Sequence, residues 1–264
     1  TGTRYHLIAL DQMTAANVTY LKTHVNAVST PASKKWCMGI VGFNGTAADV
    51  QTLGNTEDAY RIQIFWVERC PQRVGIMAAK FAARRAMYGC TESCIDKIVT
   101  GLSQPYNPSY ALTPAEIETA LTEGITPGRC DEYGGTVSIV RSVTTRQTAP
   151  IAFRDHTIQE KSDYFDEALV QAFGAYKGRT LKTASDPGSP STFTLGRATG
   201  VLNRTIFKLD QLDIVQGTKD AIKAGSNFAE INATDPDRVD VGCIFYPTRI
   251  TAFIAVQKIY SIGA

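Results

Sequence analysis

A metal or redox centre in this chain would have to be built from six cysteines and three histidines. The cysteines are Cys37, Cys70, Cys90, Cys94, Cys130 and Cys243. Only Cys90 and Cys94 stand close together. Their C-x-x-x-C spacing is neither the C-x-x-C of a dithiol redox site nor half of a zinc ribbon, and no second pair supplies further ligands. Cys37 and Cys243 sit in the apolar runs WCMGIV and VGCIFY, which reads as buried thiols. His6, His24 and His156 are far apart and outside any H-x-x-x-H or H-E-x-x-H context, so neither a metal nor a catalytic histidine is expected.

Other chemistry is equally thin. No G-x-S-x-G elbow is present, and no Ser or Cys nucleophile has a patterned base. The segment IVGFNG follows an apolar run as a phosphate-binding turn would. It lacks both the three-glycine dinucleotide spacing and the lysine of a P-loop, and reads as a helix-capping turn. The aspartates of Asp235–Asp240 (DPDRVD) lack the alternating oxygens and closing Glu of a calcium loop and read as a turn into a strand. Lys80, Arg84 and Arg85 recur at i, i+4 and i+5 on an Ala-rich helix, either as a solvated face or as a contact for an acidic partner. No cofactor is expected.

The elements that would position these groups follow from patterning. Residues 4–10 read as a strand, and Thr14 caps a helix to about Val28 with Ala16, Leu21, Val25 and Val28 on one face. Residues 36–43 are an apolar run suited to a strand buried on both faces of a parallel sheet. Residues 46–53 form a short helix ended by Gly54, and residues 61–67 a third strand. Pro71 opens a helix to about Tyr88. This β-α-β-α-β-α order predicts an α/β fold, an open and mostly parallel sheet with flanking helices. Residues 101–112 read as irregular. Thr113-Pro114-Ala115-Glu116 is a capping box for a helix ending at Gly124. Residues 131–135 are a turn before a strand over 136–146.

The composition then shifts. Residues 147–163 read as a polar connection, 164–176 as a helix and 184–192 as a loop. Residues 194–210 form a long helix with Leu195, Val201, Leu202, Ile206 and Leu209 inward, and strands follow at 228–233 and 238–246. This second part is an α+β unit, so the division expected is 1–147 and 148–264. Residues 249–262 alternate apolar residues on both faces. Such a strand is either central in the chain's own sheet or adds to the sheet edge of a neighbouring subunit.

Bulk properties bound the rest. At about 150 residues per domain, 264 residues make one large or two small domains. With 44% apolar and 20% charged residues the chain has ordinary globular usage. A net charge of +2 disfavours a nucleic-acid-coating protein. Apolar runs are far shorter than the roughly 20 residues of a membrane span, and no secretory signal is visible, so no direct membrane partner is expected and the N-x-S/T triplets at Asn17, Asn44, Asn203 and Asn232 carry no weight.

Ordered motifs point to one family. TRYHLIAL precedes a helix, and MGIVGFNGT runs into LGNT. PQRVGIMAAKFAARRA is an Ala-rich helix, and LTPAEIETALTEGIT leads to GGTVSIVRSVTTRQ. A Ser-Asp-Tyr-Phe-Asp stretch stands at 162–166, NATDPDRVDV at 232–241, then Tyr246-Pro247 and AFIAVQKIY. In this order and spacing the chain resembles the tail sheath proteins of contractile bacteriophage tails, in particular the Mu-like branch, over the middle and C-terminal part of that family.

The resemblance implies a non-enzymatic structural protein of the virion tail, assembled in the bacterial host cytoplasm. It implies stacked hexameric rings around the tail tube, with tube, baseplate and tail terminator proteins as partners and no direct nucleic acid. Contraction would drive the tube through the host envelope for genome ejection. It also implies an intersubunit strand at about 247–264, with Ile250, Ala252, Phe253, Ile254, Val256 and Ile259 in it. Lys80, Arg84, Arg85, Lys219 and Lys223 are the candidate charge contacts to the tube or a neighbouring subunit. The alternative is a soluble α/β enzyme or small-ligand binding protein with its site at the strand C-terminal ends near Gly42–Gly45.

Overall fold

The computed structural model describes residues 6–30, 33–54, 58–104, 110–130, 135–148, 154–179, 181–182, 192–235, 238–244 and 247–248. Its first half alternates β1 (Leu7–Ala9), α1 (Ala15–Val28), β2 (Met38–Phe43), α2 (Ala47–Gly54), β3 (Ile62–Trp66) and α3 (Val74–Ala86). It continues through β4 (Ile98–Ser103), α4 (Pro114–Thr122), β5 (Ile125–Cys130) and β6 (Thr136–Ile139). These strands form one sheet in the order β1-β2-β3-β5-β6-β4. The pairs from β1 to β5 are parallel, and β6 runs antiparallel to both β5 and β4. The α/β expectation of an open, mostly parallel sheet therefore holds, with an antiparallel extension.

Period-two alternation on β3 sorts the core into two layers. Ile62, Ile64 and Trp66 pack with Val18, Leu21 and Val25 of α1 and with Val50 of α2. Phe65 and Val67 face the other way, onto Met77, Ala78 and Phe81 of α3. Phe65 and Phe81 stack at 4.5 Å. On α1 the buried face is Val18, Leu21 and Val25, while Ala16 is exposed. Thr14 caps α1 by accepting from Asn17 N at 3.2 Å. Thr113 and Glu116 form the expected capping box on α4, with Pro114 in its first turn.

Several boundaries differ from the sequence reading. Helix α3 begins at Val74 rather than Pro71, because Arg73 is extended (φ −61°, ψ 142°) and takes the N-cap position. The region 101–112 begins inside β4, whose register shifts between Ile98 and Ser103. Gly101 there has φ +74°, a left-handed conformation suited to a bulge. Strand β6 ends at Ile139 rather than Arg146.

The second half opens with α5 (His156–Gly174), so the supposed connection 147–163 is helical from His156 on. Short β7 (Leu181–Lys182) and β8 (Phe193–Thr194) pair in parallel. Then come α6 (Leu195–Gln211), α7 (Thr218–Lys223), which the sequence reading missed, and the antiparallel pair β9 (Phe228–Ile231) and β10 (Val239–Gly242). On α6 the buried stripe is Ala198, Leu202, Ile206 and Leu209, with Leu195 and Val201 only half-buried. It joins Phe165, Ile214 and Val215 in a third apolar cluster. The loop expected at 184–192 lies outside the described residues except for its last position.

Candidate assembly interface

Helix α5 joins the two halves, and it does so largely through polar groups. Asp155 caps it, its Oδ1 accepting from Thr157 N at 3.0 Å and Thr157 Oγ1 at 2.8 Å. His156 is fully buried. Its Nδ1 lies 3.3 Å from the Ser142 carbonyl, which accepts, so Nδ1 carries the proton. Its Nε2 has no hydrogen-bond partner among the described residues and lies 3.9 Å from Glu160 Oε2. Burial first, and the Arg85 guanidinium second, hold the imidazole below its usual pKa, against the pull of Glu160 and Asp155. It is therefore neutral at physiological pH.

Arg85 completes this junction. It is 2% exposed and donates to Gln63 Oε1 of β3 and to Glu160 Oε1 of α5. Gln63 Nε2 donates onward to Ser142 Oγ at 2.9 Å and the Val143 carbonyl at 3.1 Å. One turn along α5, Asp163 accepts both arms of the Arg61 guanidinium. Arg85 was expected on a solvated or partner-facing surface. The structure corrects that: the residue faces inward because a buried glutamine and a glutamate await it.

The other face of α5 holds the root of the C-terminal segment. Lys161, also 2% exposed, donates from Nζ to the Thr248 carbonyl at 2.9 Å and to Thr248 Oγ1 at 2.6 Å. Thr248 N donates to the Ile214 carbonyl at 3.2 Å, its hydroxyl donates to the Asp213 carbonyl, and Pro247 bridges Val215. The intersubunit strand expected beyond this point, with Ile250, Ala252, Phe253, Ile254, Val256 and Ile259, lies outside the described residues.

A cleft of about 520 Å³ opens beside β10, lined by Leu169, Phe173, Tyr176, Phe193, Val239 and Val241. Phe193 meets Phe173 edge-on at 6.5 Å and Tyr176 at 4.9 Å. The second half also exposes Phe207, Leu212, Phe228 and Ile244. Large apolar side chains left in water in this number suit a surface that meets another molecule.

The remaining charge candidates divide. Lys80 Nζ donates to the Gly101 carbonyl, and Arg84 lies over the Tyr88 ring at 5.1 Å, so both are partly engaged. Lys219 and Lys223 are exposed one turn apart on α7. The turn at Gly42–Gly45, the alternative ligand site, is occupied by the chain itself. A Cβ on Gly42 would meet the Val74 carbonyl at 2.1 Å, because α3 lies directly on β2 there. Trp66 Nε1 donates to the Gly45 carbonyl at 2.9 Å, Asn44 Nδ2 to Cys70 O at 3.0 Å, and the Phe43 ring fills the space over Gly45.

Arg61, Gln63, Glu160 and Lys161 were not singled out from sequence, His156 was set aside, and Asp163 was noted only within the stretch 162–166. The signal available was Asp155, a good N-cap, ahead of a stretch with no Gly or Pro. It was masked because the inward face of the first turns is polar, so no apolar period appears.

The fold is shared with known sheaths. The sheath tail protein of Desulfitobacterium hafniense matches 92% of this chain at a TM-score of 0.65 and 12% identity, and that of Listeria innocua matches 93% at 0.65 and 13%. The helical sheath of the anti-feeding prophage, in its contracted state, matches 97% at 0.61 and 13%. The chain spans 53%, 54% and 70% of these three proteins respectively, about half the length of the two sheath tail proteins. No curated protein matches the sequence. The family model of the phage tail sheath protein central domain matches residues 1–145, more than half of the sequence, and the chain belongs to the phage tail sheath protein family.

Proposed function

We propose that this chain is a structural subunit of a contractile tail sheath. It polymerises with itself as stacked hexameric rings around a tail tube, in a virion tail assembled in the host cytoplasm, and contraction drives the tube through the host envelope. The observation that carries this reading is the sheath central-domain match over residues 1–145, continued by a sheath-like fold across 92–97% of the chain. Tube, baseplate and tail terminator proteins are its partners. The reading assigns no catalytic group and no cofactor. It divides the chain into an α/β unit, 1–147, and an α+β unit, 148–264, bearing the terminal strand.

In this reading residues 249–262 add as a strand to a neighbouring subunit. Strand addition contributes a row of main-chain hydrogen bonds at about 1 kcal/mol net each, so subunits stay linked while they move as rigid bodies. Head-to-tail contacts that do not close build a tube. Lys80, Arg84, Lys219 and Lys223 stay as charge contacts to the tube or a neighbour, and Arg85 is withdrawn from that set. Negative-stain electron microscopy of the native particle that carries this chain tests the proposal. Striated cylinders with six-fold cross-sections, labelled by an antibody to this chain, are expected. Label confined to structures without a sheath lattice overturns it.

A further inference from the structure

The root of the C-terminal segment is held by a built site rather than by chain continuity alone. A buried ammonium donates to two acceptors on one residue, the carbonyl and the hydroxyl oxygens of Thr248. Thr248 is in turn tied to the Ile214 and Asp213 carbonyls. Lys161 sits one residue beyond Glu160, which pairs with Arg85 of α3, and two before Asp163, which pairs with Arg61 next to β3. The same two turns of α5 therefore grip the central sheet and the start of the C-terminal segment.

We infer that Lys161 is a positioning residue: it fixes the point at which the terminal strand leaves the body and couples that point, through α5, to the central sheet. This inference rests on the proposed exchange of residues 249–262. A lysine suits the task. Its long stem is buried, and its head supplies several donors that an apolar side chain lacks. A strand that bears load at its far end transmits it to the body through this root, so a loose root lets the exit direction wander and weakens every link in a lattice.

The test uses the full chain with Lys161→Met, Thr248→Val and the double variant. Chymotrypsin sites lie on both sides of the root, at the Phe245–Tyr246 bond before Thr248 (Pro247 blocks cleavage after Tyr246) and after Phe253 and Tyr260 beyond it. With the body's far-ultraviolet spectrum retained, Lys161→Met is expected to raise cleavage at 245–246 about tenfold, as expected when charged hydrogen bonds guarding a local opening are lost. Cleavage at 253 and 260 stays unchanged. Thr248→Val gives a smaller rise, and the double variant resembles Lys161→Met because the two share one contact. Sheath cylinders are expected to shorten or fail in the same order.

Cleavage at 245–246 that is unchanged in both single variants overturns the anchor, whatever assembly does. Faster cleavage with normal cylinders overturns the positioning role. Failure of the underlying reading is separate: it shows as normal polymerisation after deletion of residues 249–264, with the cleavage result still legible. If Lys161→Met does not fold, Thr248→Val carries the same comparison.

Discussion

Arg61 and Asp163 meet 102 residues apart in a two-armed ion pair, Nη1 to Oδ2 at 2.7 Å and Nη2 to Oδ1 at 2.6 Å, with each side chain 13% exposed. The fork geometry matches guanidinium to carboxylate and joins the sheet half of the chain to α5. The pair also crowds Asp166, whose carboxyl is pushed up by burial and then by Asp163. Removing one partner leaves the other poorly solvated. Asp163→Asn is expected to cost about 3 kcal/mol, at the lower end for breaking a largely buried pair. Urea denaturation of the two single variants and the double checks this. A coupling energy near zero in the cycle would mean the pair contributes nothing.

The junction around His156 sets a pH dependence. The folded protein holds the imidazole neutral below its usual pKa of about 6.5, whereas the unfolded chain protonates it there. Between the two values the unfolded state binds more protons, so stability rises with pH. The contribution is complete above about pH 6.5 and is lost as pH falls toward the lowered folded value, at up to ~1.4 kcal/mol per pH unit. His156→Gln is expected to flatten the stability profile below about pH 6.5. Identical slopes for the two proteins would remove His156 as the cause.

Much of the sheet half was readable because its elements obey their periods. MGIVGF is apolar throughout and became a strand buried on both faces, and the Thr113 capping box marked the start of α4 to the residue. What escaped notice had specific causes. Strand β5 carries Pro127 and Gly128, both unusual inside strands. Its ladder changes partner at that point, with Trp66↔Pro127 the last pair to β3 and Gly128↔Ile139 the first to β6. The start of α5 was hidden because it buries His156, Thr157 and Lys161, polar residues that suggest a solvated connection until their partners are known. Arg85 stands 71 positions from His156, and Thr248 stands 87 from Lys161, so no local window relates them.

Two glycines separate packing from conformational cost. Gly42→Ala would drive a Cβ to 2.1 Å from the Val74 carbonyl and 3.0 Å from Ala78 N, both backbone atoms that move only if α3 lifts from β2. A loss of about 3 kcal/mol or more is expected. Gly200, inside α6, has nothing within 4 Å of a Cβ. Gly200→Ala is expected to stabilise the monomer by about 0.5–1 kcal/mol through helix propensity. Thermal melts of both variants check the contrast. Equal effects at the two sites would contradict the packing at β2.

The exposed pair Lys219 and Lys223 tests the charge contacts. Both lie on one face of α7, a turn apart, and replacing both with Glu changes the local charge by four units without touching the core. Monomer stability is expected to stay within about 0.5 kcal/mol of the parent. Assembly yield is expected to fall at low salt and to recover part of the loss as salt screens the repulsion. Yield that ignores both charge and salt would take this face out of the interface.

Deletion of residues 249–264 bears on where the terminal strand belongs. Among the described residues, the two sheet-face clusters and the α5–α6 cluster are built from residues up to 243. Among the described residues the last tie to the body is Thr248, which the deletion keeps, so Lys161 retains its acceptors. The truncated chain is therefore expected to stay folded, with an unchanged urea midpoint, while losing polymerisation. A cleft beside β10 and the exposed Phe228 and Ile244 would then remain as apolar surface without a partner, and dye binding to that surface is expected to rise. Global unfolding on truncation would instead put the strand in the chain's own core, and the alternating apolar residues from Ile250 to Ile259 would owe their pattern to a sheet within one subunit.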